Sequence, residues 1–203
     1  YISGAMENTT ATLHSDMAQQ TARQLVDGNG WESVIAHELF HHWFGDYVTT
    51  ESWSNITVNE SFADYSELLW FEYKYGKDAG DAENNNGMQN YLQSNSEKKD
   101  LVRFYYADKE DVFDSVFYHK GGRILHMLRN YVGDSAFFKA INNYLVTNKF
   151  KSAEAHQLRL AFEEVTGRDL NWFFNQWYFS NGHPSADIDY VYDDAAGKAT
   201  VIV

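Results

Sequence analysis

The sequence predicts a mainly α protein with a small β portion, an α+β arrangement with strands at its two ends and helices between them. Three observations carry this reading. Apolar residues recur at helical spacing over most of residues 31–180. The single proline is Pro184, so those helices have no proline to kink them. Beyond "NGHP" (181–184) the pattern changes to strict alternation.

Residues 1–14, "YISGAMENTTATLH", are rich in Thr and small residues and read as an extended segment or edge strand. "DGNG" (27–30) is a turn, after which Trp31 to Phe44 reads as a helix with Val34, Ile35 and Leu39 on its buried side. "VTTESWSN" (48–55) is a loop. A second helix follows from Thr57 to Tyr75, with Phe62, Tyr65, Leu68, Leu69 and Glu72 at helical spacing. "GKDAGDAENNNG" (76–87) is polar and rich in Asn and Gly, and reads as a surface loop. Further helices are expected at about 88–95, 115–131, 134–147, 152–166 and 169–180, with Gly167 closing one and Asp169 opening the next. Ile188, Tyr190 and Tyr192, then "DDAAGK", then Ala199, Val201 and Val203 form a β-hairpin pattern. A lone hairpin is marginal in water. Residues 1–184 are therefore expected to form one domain, and 185–203 the opening of a second, truncated one.

Composition narrows the possible functions. Of 203 residues, 44% are hydrophobic and 17% aromatic, which demands a packed core. Clusters such as "WFFNQWYF" (172–179) supply it. The net charge of −13 argues against nucleic acid or an anionic membrane as partner, since both require a basic face. With no cysteine, disulfides and thiolate chemistry are excluded, and any metal must be held by His, Asp or Glu. No apolar run approaches the ~20 residues of a membrane span. The chain opens at Tyr1 without a signal-peptide pattern, and reads as a piece of a longer protein whose targeting segment, if any, lies outside it.

The chemistry concentrates in "HELFHHWFG" (37–45). Helix positions four apart are rotated by about 40° and displaced by about 6 Å, so His37 and His41 project side by side. Two imidazoles at that spacing reach one Zn²⁺, and Glu38 overlooks the open coordination position where a general base for water must stand. Eighteen residues after His41, "NESFAD" places Glu60 on the second helix as the third ligand. Asp64, one turn further, could accept the free N–H of a ligand histidine, or be an ordinary surface acid. A three-histidine alternative fails, because it needs Gly and His where Phe44 and Tyr47 stand. Chance produces the pattern with its spaced Glu in roughly a few per ten thousand chains of this size. His42 points about 100° away from His41 and reads as packing or as a group supporting a ligand from behind; the other histidines have no ligand spacing.

With these residues in place, the chain resembles the aminopeptidase N-like family of gluzincin zinc metallopeptidases. "GAMEN" (4–8) is similar to its exopeptidase signature, "HELFHHWFG" with "VNESFA" (58–63) to its zinc site, and "FYHKGGRILHMLRNYVG" (117–133) to its catalytic-tyrosine helix. "FFNQWYFSNGHP" (173–184) looks like the end of its catalytic domain. The resemblance implies a thermolysin-like domain followed by the first strands of a β-sandwich. It implies one Zn²⁺ on His37, His41 and Glu60, Glu38 as general base, and Tyr118 as donor to the oxyanion. It also implies that Gly4, Ala5, Met6, Glu7 and Asn8 bind substrate: small residues let a peptide backbone pair against the strand, and Glu7 offers its charge to the α-ammonium.

The implied activity is a zinc aminopeptidase acting on peptides with a free amino terminus. A gluzincin endopeptidase and a non-catalytic peptide-binding module are the alternatives. Ser61, where the family often has Gly, Thr57–Val58, where it has Trp–Leu, and Gly122, where it has Ala, depart from its pattern. The family's amino-terminal β domain, which caps the cleft, is not among these residues.

Overall fold

A computed structural model describes residues 4–203. The first three positions of the expected amino-terminal strand lie outside the described residues. From Gly4 onward the segment is a small hairpin. Strand β1 (Ala5–Met6) pairs antiparallel with β2 (Leu13–His14) across a turn in which the Ala11 N–H donates to the Asn8 carbonyl at 2.8 Å.

Helix α1 spans Glu32–Phe40, shorter than the expected 31–44. His41 keeps helical dihedrals and donates its N–H to His37, after which the chain turns. The turn is forced by Gly45, at φ +150°, where an added Cβ would stand 3.0 Å from the His41 carbonyl oxygen. Strand β3 (Thr49–Thr50) follows, then α2 (Thr57–Tyr75), which occupies the range expected of it.

The buried side expected for α1 is not the one observed. Ile35 and Leu39 are 41% and 54% exposed, while Glu32, Glu38 and His41 are buried. The helix is turned polar side inward because its partners on α2 are polar. Glu32 accepts from Trp70 Nε1 at 2.6 Å and Tyr75 Oη at 2.8 Å and pairs with Lys74, and Ser66 Oγ donates to the Ala36 carbonyl. The apolar side instead lines an open cleft with Leu69, Trp70 and Tyr73.

The expected loop over 76–87 is also corrected. Gly76, at φ +95°, ends α2, and α3 then runs unbroken from Lys77 to Gln93. Its Asn and Gly content suits a helix packed at close range. Gly80 lies so near α2 that a Cβ would come within 2.9 Å of Glu72 Cβ, and Gly87 makes room for the Arg123 guanidinium. Tertiary packing overrides weak propensity here.

A π-helical turn, Val116–Lys120, leads into α4 (Gly121–Val132). Next come α5 (Asp134–Asn148), β4 (Ser152–Ala153), α6 (Ala155–Thr166) and α7 (Asn171–Trp177). Strand β4 pairs parallel with β3, tying the loop after the histidine helix to the distal helices. Gly167 closes α6 in the left-handed conformation, as expected. β5 (Asp189–Asp193) and β6 (Lys198–Ile202) form the expected antiparallel hairpin, exposed along its whole length. Among the described residues, no helix is long and apolar enough to cross a membrane.

The core is aromatic. Phe44 stacks on Phe62 with ring centroids 4.0 Å apart and faces Tyr144 at 6.0 Å, so the end of the histidine motif is anchored to α2 and α5. Phe173, Phe174 and Tyr178 of the carboxy-terminal cluster are buried. Arg129 joins three helices through Glu72 at 2.9 Å and Asp134 at 2.8 Å.

Helices α2 and α4 meet at Ser61. Its Oγ donates to the Phe117 carbonyl at 2.6 Å, and a Cβ on Gly121 would stand 1.9 Å from that oxygen and 2.6 Å from Ser61 Cβ. We expect Gly121→Ala to destabilise the fold by about 1–3 kcal/mol through overpacking. Removing the Ser61 side chain as well should recover part of that loss. Urea denaturation of both variants checks this; a double variant no more stable than the single one would show that Ser61 is not the obstacle.

Candidate metal centre and active-site cleft

The contacts between α1 and α2 run in opposite senses along the two helices: His41 and His37 meet Glu60, Ala36 meets Ser66, and Glu32 meets Trp70 and Tyr75. The helices are therefore antiparallel neighbours, and their register brings the imidazoles to the carboxylate. His37 Nε2 and His41 Nε2 each stand 3.4 Å from Glu60 Oε2. The three ligand atoms lie within 4.8 Å of one another. Ligands held ~2.1 Å from a zinc ion at tetrahedral angles stand ~3.4 Å apart, so the donor set fits such an ion in number, type and spacing.

The far nitrogens fix the tautomers. His37 Nδ1 donates to Glu67 Oε1 at 2.9 Å, and His41 Nδ1 donates to the Phe44 carbonyl at 2.9 Å. With Nδ1 committed in this way, it is Nε2 of each ring that faces Glu60, and a ring that gave up its Nε2 proton would offer that nitrogen to an ion. Asp64, weighed as the partner of a ligand histidine, has other partners: His119 Nδ1 donates to it at 3.0 Å and Arg123 at 3.3 Å. At 100° per residue Asp64 is rotated about +40° from Glu60, whereas Glu67, seven residues on, is rotated by only about −20°. Glu67 thus shares the face of Glu60 more closely, and the sequence reading missed it. A two-turn periodicity count from Glu60 would have found it.

The remaining expected residues can now be placed. A cleft of about 480 Å³ is lined by His37, His41 and Glu60 together with Glu38, Glu7 and Tyr118. Ala5 and Met6 also line it, while Gly4 and Asn8 do not. The carbonyls of Gly4 and Asn8 accept from Ser15 and Ala11 instead, and so shape the hairpin that presents Glu7. Glu7, Glu38 and His41 form a second tight group, with polar atoms within 4.8 Å of one another. Glu38 Oε2 is buried and, among the described residues, has no hydrogen-bond partner. The tilted rings of Tyr118 and His37 have centroids 5.9 Å apart.

Electrostatics follow from this crowding. Burial alone would lower the His37 pKa, but the Glu60 and Glu67 carboxylates outweigh it and hold the ring at about 10. Burial opposes ionisation of Glu60, yet the two imidazoles bring it down to about 2. Glu38 is pushed above the usual carboxylate range by burial, with Glu7 and Glu60 adding to the rise against the pull of the histidines. Burial, then the charges of Glu60, Glu7 and Glu38, raise Tyr118 far above the ordinary phenol value, so it stays a protonated donor.

The fold brings together, on a pair of helices facing a cleft of about 480 Å³, a donor set that could hold a metal ion. Comparison with known proteins gives the family: residues 1–177 match the model described as the Peptidase family M1 domain, and the chain belongs to that family. Aminopeptidase N of Streptomyces lividans is 34% identical over 189 residues, which cover 88% of this chain and 22% of that protein. Aminopeptidase N of Lactococcus lactis is 30% identical, over 95% of this chain and 24% of that protein. The chain thus spans about a quarter of the length of these relatives. The M1 zinc metallopeptidase of Deinococcus radiodurans superposes with a TM-score of 0.72 at 26% identity, over 91% of this chain and 38% of that one. Yeast LTA4 hydrolase shares the fold, with a TM-score of 0.79 at 24% identity, over 92% of this chain and 31% of that one.

Two outcomes are expected. Glu67→Ala should lower zinc affinity by about 10–100-fold, because His37 loses the partner that orients it; competition with a chromogenic chelator measures this. The metal-free chain has a definite stability window. Glu60, depressed to about 2, contributes above the ordinary 4.5 and loses its contribution as pH falls toward 2. His37, raised to about 10, contributes fully below the ordinary 6.5 and loses its contribution as pH rises toward 10. The melting temperature of the chelated protein should therefore be highest between pH 4.5 and 6.5, and calorimetry across pH checks it.

Proposed function

We propose that this chain is the catalytic part of a zinc aminopeptidase, which removes the amino-terminal residue of peptides through attack by water on the first peptide bond. The observation that carries the proposal is the convergence of Glu7, Glu38, Tyr118 and the His37–His41–Glu60 donor set on one cleft. The aminopeptidase N relatives support the reaction class. The Deinococcus M1 metallopeptidase has also been solved with a Tyr-Ser-Ala substrate, which supports a peptide as ligand.

A zinc ion held by His37, His41 and Glu60 would supply Lewis-acid polarisation of the scissile carbonyl and acidify the attacking water. The steps themselves belong to side chains. Glu38 takes the proton of the attacking water and returns it to the leaving amine; a pKa raised by burial and a free Oε2 suit a group that must accept a proton and give it back. Tyr118 donates its phenolic hydrogen to the oxyanion as it develops. Glu7, beside Glu38, forms an acidic pocket that receives the substrate's α-ammonium. Anchoring the amino terminus there places the first peptide bond, rather than a later one, before Glu38.

The 185–203 hairpin fits this reading as the opening of a further domain, a proposal that rests on its exposed apolar residues Ile188, Val191 and Val201.

Glu38→Gln should keep stoichiometric zinc and lose nearly all turnover of an aminoacyl-anilide. Tyr118→Phe should lower kcat by about 10²–10³ with little change in KM. Free-amino peptides should be cut far faster than their N-acetylated forms; equal rates would make the enzyme an endopeptidase, and hydrolysis by Glu38→Gln at the wild-type rate would remove the base assignment.

A further inference from the structure

A second cavity lies on the other side of the Tyr118 segment, between α3, α4 and the stretch that follows α7. Its volume is about 460 Å³, within the usual range of small-ligand sites. Its lining carries Lys120, Arg123, His126 and His183 and not one carboxylate, in a chain with 29 acidic and 16 basic residues. The rest of its wall is apolar, with Ile124, Met127, Trp177, Met88 and Leu92. Cationic and hydrophobic surface therefore meet in one hollow.

Lys120 sets this cavity apart from an ordinary groove. The residue is only 4% exposed, and among the described residues its Nζ has no hydrogen-bond partner and no ion-pair partner within 4.0 Å. Asp100 acts on it only at longer range. Its other neighbour is the Tyr91 ring, 6.0 Å from Nζ to centroid, at the limit of useful cation–π contact. A buried ammonium without a counter-charge is costly, and burial pulls its pKa down accordingly. The neighbouring polar groups do not fill its shell. Arg123 spends one nitrogen on Asp64 and leaves Nε buried and unpaired. His126 Nδ1 is engaged by Tyr65 Oη at 3.2 Å, and His183 Nδ1 by Tyr91 Oη at 3.1 Å. Gly87 keeps the Arg123 guanidinium at the cavity wall, since a Cβ there would fall on Nη1. Three of these four cationic or polar groups come from one stretch of chain, 120–126, that no part of the proposed peptidase chemistry uses.

We propose that this cavity is a binding site for a small amphipathic monocarboxylate, whose carboxylate pairs with Lys120 and Arg123 and whose apolar body lies along Ile124, Met127 and Trp177. The site is separate from the metal centre, and the inference does not depend on the chain's being a peptidase. The two sources of such a ligand are a fatty-acid-type chain and the carboxyl end of a peptide or N-acylated amino acid. Both present one carboxylate on an apolar body.

The test is isothermal titration of the zinc-loaded chain with octanoate, N-acetyl-leucine, 1-octanol and acetate. Saturable one-to-one binding of octanoate or N-acetyl-leucine is expected, with octanol and acetate each weaker by about tenfold or more. The tighter of the two carboxylates assigns the source. Octanol binding as tightly as octanoate would overturn the proposal without recourse to any variant. Carboxylates also bind zinc, so the titration is repeated after chelation: persistence of the binding supports the cavity, and its complete loss assigns the signal to the metal and overturns the proposal. Lys120→Met keeps the length and apolar stem and should abolish octanoate binding while leaving bound zinc unchanged and the melting temperature the same or higher, since a buried unpaired charge is removed; unaltered binding by that variant would equally overturn it.

Discussion

The register between α1 and α2 is the constraint on which everything else depends. Two imidazoles and a carboxylate separated by 18 residues become one donor set only if these helices neither slide nor rotate against each other. A slip of one residue would move Glu60 by about 1.5 Å along the axis and about 100° around it. The pair is fastened at both ends. At one end Glu32 is gripped by Trp70, Lys74 and Tyr75; at the other Phe44 stacks on Phe62. Between them Ser66 reaches the Ala36 carbonyl. The polar side of α1 faces inward because the fastening is itself polar, and the apolar residues Ile35 and Leu39 are left on the outside as a consequence.

Two further helices, α3 and α4, are held against α2 by absence of side chain. Gly121 admits Ser61, Gly122 admits the Asp64 carboxylate and Gly80 admits Glu72, so α3 and α4 close on α2 wherever it carries a polar group. The departures from the family pattern belong together in this light. Ser61 projects an oxygen where the family often has none, and Gly122 withholds the methyl that would stand 2.1 Å from Asp64 Oδ2. Asp64 is then free to pair with His119 and Arg123, which carries its charge away from the metal ligands.

Most of the donor set was legible because its signal is local or nearly so. His37, Glu38 and His41 lie within five residues, and Glu60 follows on the next helix at a spacing that the turn at Gly45 makes usable. The helices at 57–75 and 134–148 and the closing hairpin were legible for the same reason: periodicity is a short-range property. What was not legible depends on distant partners. The first part of the 77–93 helix, up to Gly87, reads as loop by composition, and only its fit against Glu72 and Arg123 makes its glycines helical. The outward apolar side of α1 follows from Glu32 finding Trp70, 38 residues away. Glu67 needed the face of α2 resolved to within a fraction of a turn, and nothing local to Lys120 marks it as a buried residue.

On the proposed reading, the charges in the cleft link two separate signatures, the histidine helix and the "GAMEN" hairpin, that share it. Glu60, Glu38 and Glu7 bring three carboxylates into one partly buried space, and burial already pushes Glu38 upward in pKa, with the like charges adding to the rise against the pull of the histidines. Such a cluster is tolerable only if cations complete it. On the proposed reading, a divalent ion on the donor set and one α-ammonium at Glu7 together match the three negative charges when the histidines are neutral. On that reading, a peptide blocked at its amino terminus supplies no ammonium and leaves one of these carboxylates uncompensated. The proposed selectivity for free amino termini then follows from the balance among these three carboxylates, Asp46 and Lys109 elsewhere in the lining offsetting each other, and Glu7 would act by adding the charge that only an unblocked substrate neutralises.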